Sequence, residues 1–256
     1  LEKANAVLAD PLDRSDVIGT WAGLRPLLQP GTEQGLTSAK VSREHTVASP
    51  APGFVVIAGG KFTTYRVMAQ DAVDFALGPD AARTPSVTAD IPLTGLAAAR
   101  RELDVAARAH GWTPMLVDHL LHRYGANVRD IIALCDDDAD LAERVTGAPD
   151  YLRAEIHYAV SHEGALHLED IIERRTRISY EYAGTGMPAL DDIAAVAGDA
   201  LGWTSAQRHR EVDSYRQRVE AERAATRQPD DASAARARSA AGSFAPWHER
   251  PAHRAG

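Results

Sequence analysis

Apolar residues in the first third of this chain fall in short continuous runs, whereas beyond Gly95 they recur at helical spacing. Asp16-Val-Ile-Gly-Thr-Trp21 reads as a strand, followed by Ala22 to Leu28, and the loop from Gln29 to Ser38 carries the turn formers Pro30, Gly31 and Gly35. An extended piece runs from Val41 to Val47, and Pro50 to Gly53 is a turn. The continuous run Phe54 to Ala58 predicts a strand buried on both faces. From Thr63 the spacing becomes helical: Tyr65, Met68, Ala69, Ala72, Val73, Ala76 and Leu77 form one stripe that Gly78-Pro79 ends. Three prolines between residues 79 and 95 predict an interdomain linker.

The remaining periodicity predicts helices over Ala97–His110, Pro114–Tyr124, Val128–Cys135, Ala139–Val145, Leu152–Ser161, Leu168–Thr176, Pro188–Leu201 and Ser205–Arg227. Thr113-Pro114 is a helix start with proline at the first helical position, and Thr204-Ser205 opens the last long helix. Short connections between amphipathic helices imply a bundle. From Gln228 the pattern loses periodicity and predicts a disordered tail. The expected organisation is a mixed α/β segment over 1–84, a helical domain over 85–227 and a tail over 228–256.

Composition narrows the function classes. With 36 acidic against 28 basic residues, the net charge of −8 argues against generic nucleic-acid binding, which relies on Lys and Arg neutralising phosphates. The single cysteine, Cys135, excludes an internal disulfide framework and fits a reducing cytoplasm. No apolar run approaches the roughly 20 residues that a membrane-spanning helix needs.

The candidate chemistry centres on Gly59-Gly60-Lys61-Phe62-Thr63-Thr64. Paired glycines let a backbone turn sharply and approach a ligand closely, and a helix start beyond them presents unpaired amides of positive character. Lys61 adds a cation, and Thr63 or Thr64 can cap the helix or donate a hydrogen bond. Neither the Walker spacing nor Gly-x-Gly-x-x-Gly is present. A plain strand-to-helix turn with an exposed lysine is the competing reading. Arg25, in Gly23-Leu-Arg-Pro26, and Arg43, in Ser42-Arg-Glu-His45, are guanidinium forks suited to phosphate or carboxylate. Surface ion pairs, such as Arg43 with Glu44, are the alternative for them.

Other motifs point to structure. His162 and His167 are five apart, one more than the helical zinc spacing, so no metal site is expected. Asp136 to Asp140 lacks the glycine and distal glutamate of a calcium loop and reads as a solvated helix start. Arg174-Arg-Thr-Arg177 reads as a basic helix end, and Cys135 as a small core residue.

Four segments, taken in order, resemble a known family: Gly23-Leu-Arg-Pro-Leu27, Ser42-Arg43-Glu44, Ile57 to Arg66 and Leu168 to Ile178. They resemble the aerobic, FAD-dependent glycerol-3-phosphate dehydrogenases of the DAO type, over residues 16 to about 225. The resemblance implies an α+β fold: the C-terminal end of an α/β FAD-binding domain, then an all-α domain. It implies oxidation of sn-glycerol 3-phosphate to dihydroxyacetone phosphate, with electrons passed to a membrane quinone and peripheral association with the inner face of the cell membrane. It leaves a homodimer open. On this resemblance Arg25 and Arg43 orient the phosphate, Lys61 and Arg25 serve at the reacting end, and Gly59, Gly60, Lys61, Phe62, Thr63 and Thr64 contact FAD. The early Gly-x-Gly-x-x-Gly turn of the family is missing, so the expectation is a C-terminal portion that does not hold FAD tightly alone. The rival expectations are an amino- or hydroxy-acid flavin oxidase and a non-catalytic helical interaction module.

Overall fold

The computed structural model describes residues 1–19, 44–91 and 96–242. The chain divides into two compact units, residues 21–94 and a second comprising 1–20 with 95–256. The first twenty residues thus group with the helical unit, whereas the sequence pattern assigned them to the α/β segment. They carry the short helix α1, Glu2–Asn5, and a single turn at Arg14–Asp16. Val17 to Gly19 lie outside regular structure, so this part of the expected first strand is absent; its end, from Thr20, lies outside the described residues.

In the smaller unit, β1 (His45–Ala51) and β2 (Phe54–Gly59) form an antiparallel hairpin with His45 opposite Gly59 and Val47 opposite Ile57. Gly53 makes the tip in the left-handed conformation, at φ 74°. Helix α2, Tyr65–Leu77, follows, and the chain leaves it at Gly78. The expectation of a strand buried on both faces is corrected here. None of the described residues from 44 to 91 is fully buried, and Phe54 is 57% exposed. A two-stranded hairpin beside one helix has too little surface to cover both faces of a strand. Nor is the stripe of α2 sealed. Tyr65, Val73 and Leu77 are exposed, and so are Val67 and Phe75 on its other side. A helix apolar around its circumference belongs in a protein interior.

The larger unit is a helical assembly: α3 (Leu96–His110), α4 (Pro114–Tyr124), α5 (Val128–Asp137), a hairpin of β3 (Arg144–Val145) and β4 (Ala148–Leu152), then α6 (Arg153–Ser161). A π-helical turn at Asp170–Arg175 leads to α7 (Ile178–Glu181), α8 (Leu190–Leu201), α9 (Ser205–Ala225) and α10 (Asp231–Ser239). One continuous core runs through it, with Leu103, Leu120, Ile131, Leu152, Ile156, Ile171 and Tyr215 wholly buried. No helix of the described residues is long and apolar enough to cross a membrane.

Three expectations change in this unit. Residues 139–145 form turns and the start of a hairpin instead of a helix, because Gly147, at φ 85°, brings the loop tightly against Pro188. The acids from Asp136 to Asp140 close α5 and run past its end rather than open a helix; Asp136 pairs with His110 and Asp140 with Arg153. Residues 231–239, expected to be disordered, are helical. Asp230 caps that helix through the Ser233 amide at 2.7 Å, and Arg238 pairs with Glu222 of α9 at 2.9 Å.

Candidate functional site

Strand β2 ends in Gly59 and Gly60, at φ 80° and 79°. Two successive left-handed residues reverse the chain within a space that only glycine enters without strain. At Gly60 there is also no room: a Cβ would lie 2.5 Å from Met68 Sδ and 3.2 Å from His45 Cβ. Lys61 then returns to extended backbone. Its carbonyl accepts both the Thr64 amide and the Thr64 hydroxyl, each at 3.0 Å, which closes the Phe62–Thr64 turn.

That use of Thr64 decides the electrostatics of the helix start. Oriented toward Lys61, the hydroxyl does not cap α2, and among the described residues no side chain accepts a hydrogen bond from the first-turn amides. No acidic residue lies in that turn. The Lys61 side chain is exposed and has no ion-pair partner among the described residues. The first turn of a 13-residue helix, with its partial positive charge, therefore lies beside a free ammonium. Phe62, 92% exposed, extends over the same turn. An electron-rich group suits this arrangement.

Of the residues singled out by sequence, Gly59, Gly60, Lys61, Phe62, Thr63 and Thr64 fall together on this turn. Arg25 and Arg43 lie outside the described residues. Arg66 is engaged locally, with Gln70 at 3.0 Å and Thr88 at 3.2 Å. One pair escaped the sequence reading: His45 Nε2 donates to Asp71 Oδ2 at 2.7 Å. The two are 26 residues apart, and no local spacing links them; the hairpin register is what brings His45 beside Gly59.

In the helical unit the polar groups brace the fold. Glu155 is wholly buried; Oε1 accepts the Leu152 amide at 2.9 Å, and Oε2 accepts from Tyr124 at 2.9 Å and His119 at 2.8 Å. Burial and this carboxylate raise the Tyr124 phenol far above its ordinary value. Arg123 donates to the carbonyls of Arg175, at 2.6 Å, and Thr176, where Arg177 turns left-handed at φ 63°. His162 stacks on Tyr158, whereas His167 bonds Glu211 at 2.8 Å, so the two histidines serve separate places. Among the described residues no group of His, Cys, Asp and Glu is arranged to hold a metal ion. Arg174 is held by Glu169 and by Asp170 at 3.0 Å. Cys135 is a core residue, its thiol pushed by burial up to about 12, which leaves it protonated and inert near neutrality.

Comparison with known proteins accounts for this division. Residues 86–208 match the family described as the C-terminal domain of alpha-glycerophosphate oxidase. The chain is 47% identical over 238 residues to glycerol-3-phosphate dehydrogenase 2 of Mycobacterium tuberculosis, which covers 91% of this chain and 40% of that protein. It is 46% identical over the same length to glycerol-3-phosphate dehydrogenase of Mycobacterium leprae. A probable mitochondrial glycerol-3-phosphate dehydrogenase of Dictyostelium discoideum is 31% identical over 208 residues, 78% of this chain and 32% of that protein. The chain thus spans about 40% of the length of its mycobacterial relatives. A match over 91% of 256 residues necessarily includes the turn at 59–64. Residues 86–208 are thus similar to the C-terminal domain family of alpha-glycerophosphate oxidase, and the chain is similar to about 40% of the length of named glycerol-3-phosphate dehydrogenases.

Proposed function

We propose that this chain is the C-terminal portion of an FAD-dependent enzyme that oxidises sn-glycerol 3-phosphate to dihydroxyacetone phosphate and passes the electrons to a quinone. The observation that carries the reading is the glycine-paired turn, with its uncapped helix start and free lysine, inside a segment shared with named glycerol-3-phosphate dehydrogenases. The exposed apolar surface of β2 and α2 fits a unit completed by further polypeptide.

The residues present suit the flavin. Gly59 and Gly60 turn the chain sharply, and the amides of Phe62 and Thr63 with the α2 N-terminus oppose negative charge at the flavin's edge. When bound, FAD supplies the two-electron acceptor. Lys61, at the reacting end or the flavin edge, would hold a positive charge against the negative charge that builds on the flavin as it takes hydride. Arg25 and Arg43 are the guanidinium forks that bind the substrate phosphate. Quinone as acceptor implies peripheral association with the inner face of the cell membrane.

The test uses the longest polypeptide that contains residues 1–256, purified with its flavin. Glycerol 3-phosphate should bleach the flavin, and a soluble quinone should restore its colour in turnover. Arg25→Ala or Arg43→Ala should raise KM roughly 10- to 100-fold, as the loss of a charged hydrogen bond predicts. Absence of flavin, or no bleaching by glycerol 3-phosphate, would overturn the reading. Steady peroxide formation without quinone reduction would replace it with a flavin oxidase.

A further inference from the structure

Between Gly59 and Tyr65 the chain has little to hold its shape. Two adjacent glycines at positive φ are natural pivots, and the internal hydrogen bonds of the segment lie beyond them, on the carbonyls of Lys61 and Phe62. Helix α2 could swing about these pivots, carrying its first-turn amides and Lys61 with it. A ring-binding turn cannot tolerate that, since displacement of a binding group by about 1 Å costs on the order of a hundredfold in rate.

Two contacts oppose the swing. Met68, one turn into α2, packs into the space left by the missing Cβ of Gly60. Further along, the second turn of α2 is tied to the hairpin through Asp71. His45 lies opposite Gly59 in the β1–β2 register, so its bond to Asp71 joins the strand that fixes the first glycine to the helix beyond the second. A carboxylate only accepts hydrogen bonds, so His45 Nε2 carries the proton of that 2.7 Å bond, which is charge-assisted and directional. The His45 side chain is 21% exposed, packed between Gly60 and the helix.

We propose that His45 and Asp71 are positioning residues. Their hydrogen bond is a strut that locks the Gly59-Gly60 pivot and sets the direction in which Lys61 and the Phe62 and Thr63 amides face a bound ring. Neither residue touches the reacting atoms in this account; both act through the turn. The last part of the inference rests on the flavin reading above, whereas the strut itself does not.

The experiment separates the two. In the chain of residues 1–256, hydrogen–deuterium exchange is followed at Gly60 to Thr64 and along α2 for the wild type, His45→Ala, Asp71→Asn, the double variant and His45→Gln. Loss of the strut should speed exchange of the turn amides about five- to tenfold, the scale of one lost hydrogen bond. The double variant should be no worse than either single one, as for two ends of one bond. Gln at 45 keeps an N–H donor within reach of Asp71 and should restore most of the protection. Unchanged exchange in both single variants, or additive effects, would overturn the strut. Should His45→Ala unfold the hairpin, Asp71→Asn and His45→Gln still decide the matter. In the longer flavin-bound polypeptide, His45→Ala should shift the visible flavin bands and lower kcat about tenfold, with a smaller change in KM for glycerol 3-phosphate. A faster-exchanging turn with unshifted flavin bands would overturn the positioning role and leave a purely structural strut. A wild-type polypeptide that takes up no flavin would instead refute the flavin reading.

Discussion

The two units of this chain bury their apolar residues to opposite degrees. In the helical unit Leu120, Ile131, Leu152 and Ile156 are wholly enclosed, and even a carboxylate, Glu155, is buried with all its partners supplied from within. In the smaller unit no described residue is fully buried; Phe54, Tyr65, Val73 and Phe75 face outward. One unit completes its own interior, and the other presents apolar surface that its described elements leave uncovered. The candidate ligand turn lies in the open unit. A binding surface for a large cofactor needs a second wall, and an element that contributes to two walls is apolar on more than one side.

The contrast makes quantitative demands. The largest effect is expected in the sealed core: Leu120→Ala or Ile131→Ala should cost about 2–5 kcal/mol in denaturant unfolding of the chain, through lost burial and a residual cavity. A cost below about 1 kcal/mol would mean that the helical unit is not close-packed. Next, Gly60→Ala should destabilise the turn by about 1–3 kcal/mol, read as faster exchange in β2 and α2, because alanine meets both a left-handed backbone and Met68. Met68→Ala in the same chain should recover the steric part and not the backbone part.

A third test uses pH. Burial, reinforced by the Glu169 carboxylate and opposed by Arg174 and Arg218, pushes the Glu173 carboxyl from 4.5 up to about 6. The folded form therefore holds this proton more tightly than the unfolded one. Its stabilising contribution is full below about pH 4.5 and is lost as pH rises through about 6. Glu173→Gln should flatten that part of the stability profile and stabilise the chain at pH 7 by about 1–2 kcal/mol. An unchanged slope between pH 4 and 7 would assign the titration elsewhere. The smallest effect is expected in the open unit, where Phe75→Ser should change the stability of residues 1–256 by no more than about 0.5 kcal/mol. The same substitution in the longer polypeptide should cost several times more, and equal costs in both would erase the distinction between the units.

Legibility in the sequence followed how local each signal was. Helix α4 has its predicted bounds, Pro114–Tyr124, because Thr113 Oγ1 accepts the Leu116 amide at 3.3 Å and proline sits at the first position. Helix α9 starts at Ser205 for the same reason, Thr204 being reciprocally capped with Gln207. Residues 139–145 misled, since their apolar spacing gave no sign of the close approach of Gly147 to Pro188. The predicted helix from Leu168 to Thr176 exists in part as a π-helical turn, and Arg123 from α4 binds the carbonyls at its end, 52 and 53 residues away. Around the candidate site, the glycines, the lysine and the helix start were all readable from seven consecutive residues.

By itself, then, the sequence determined the local pieces: capped helices, a strand ending in two glycines, and a cation at the head of a helix. Each depends on backbone preference or on groups a few residues apart. Tertiary structure alone decided which apolar run would be enclosed, that Thr64 would close the turn instead of capping α2, and that His45 would reach Asp71. Those outcomes turn on strand register and on groups distant in sequence, and no local spacing encodes them.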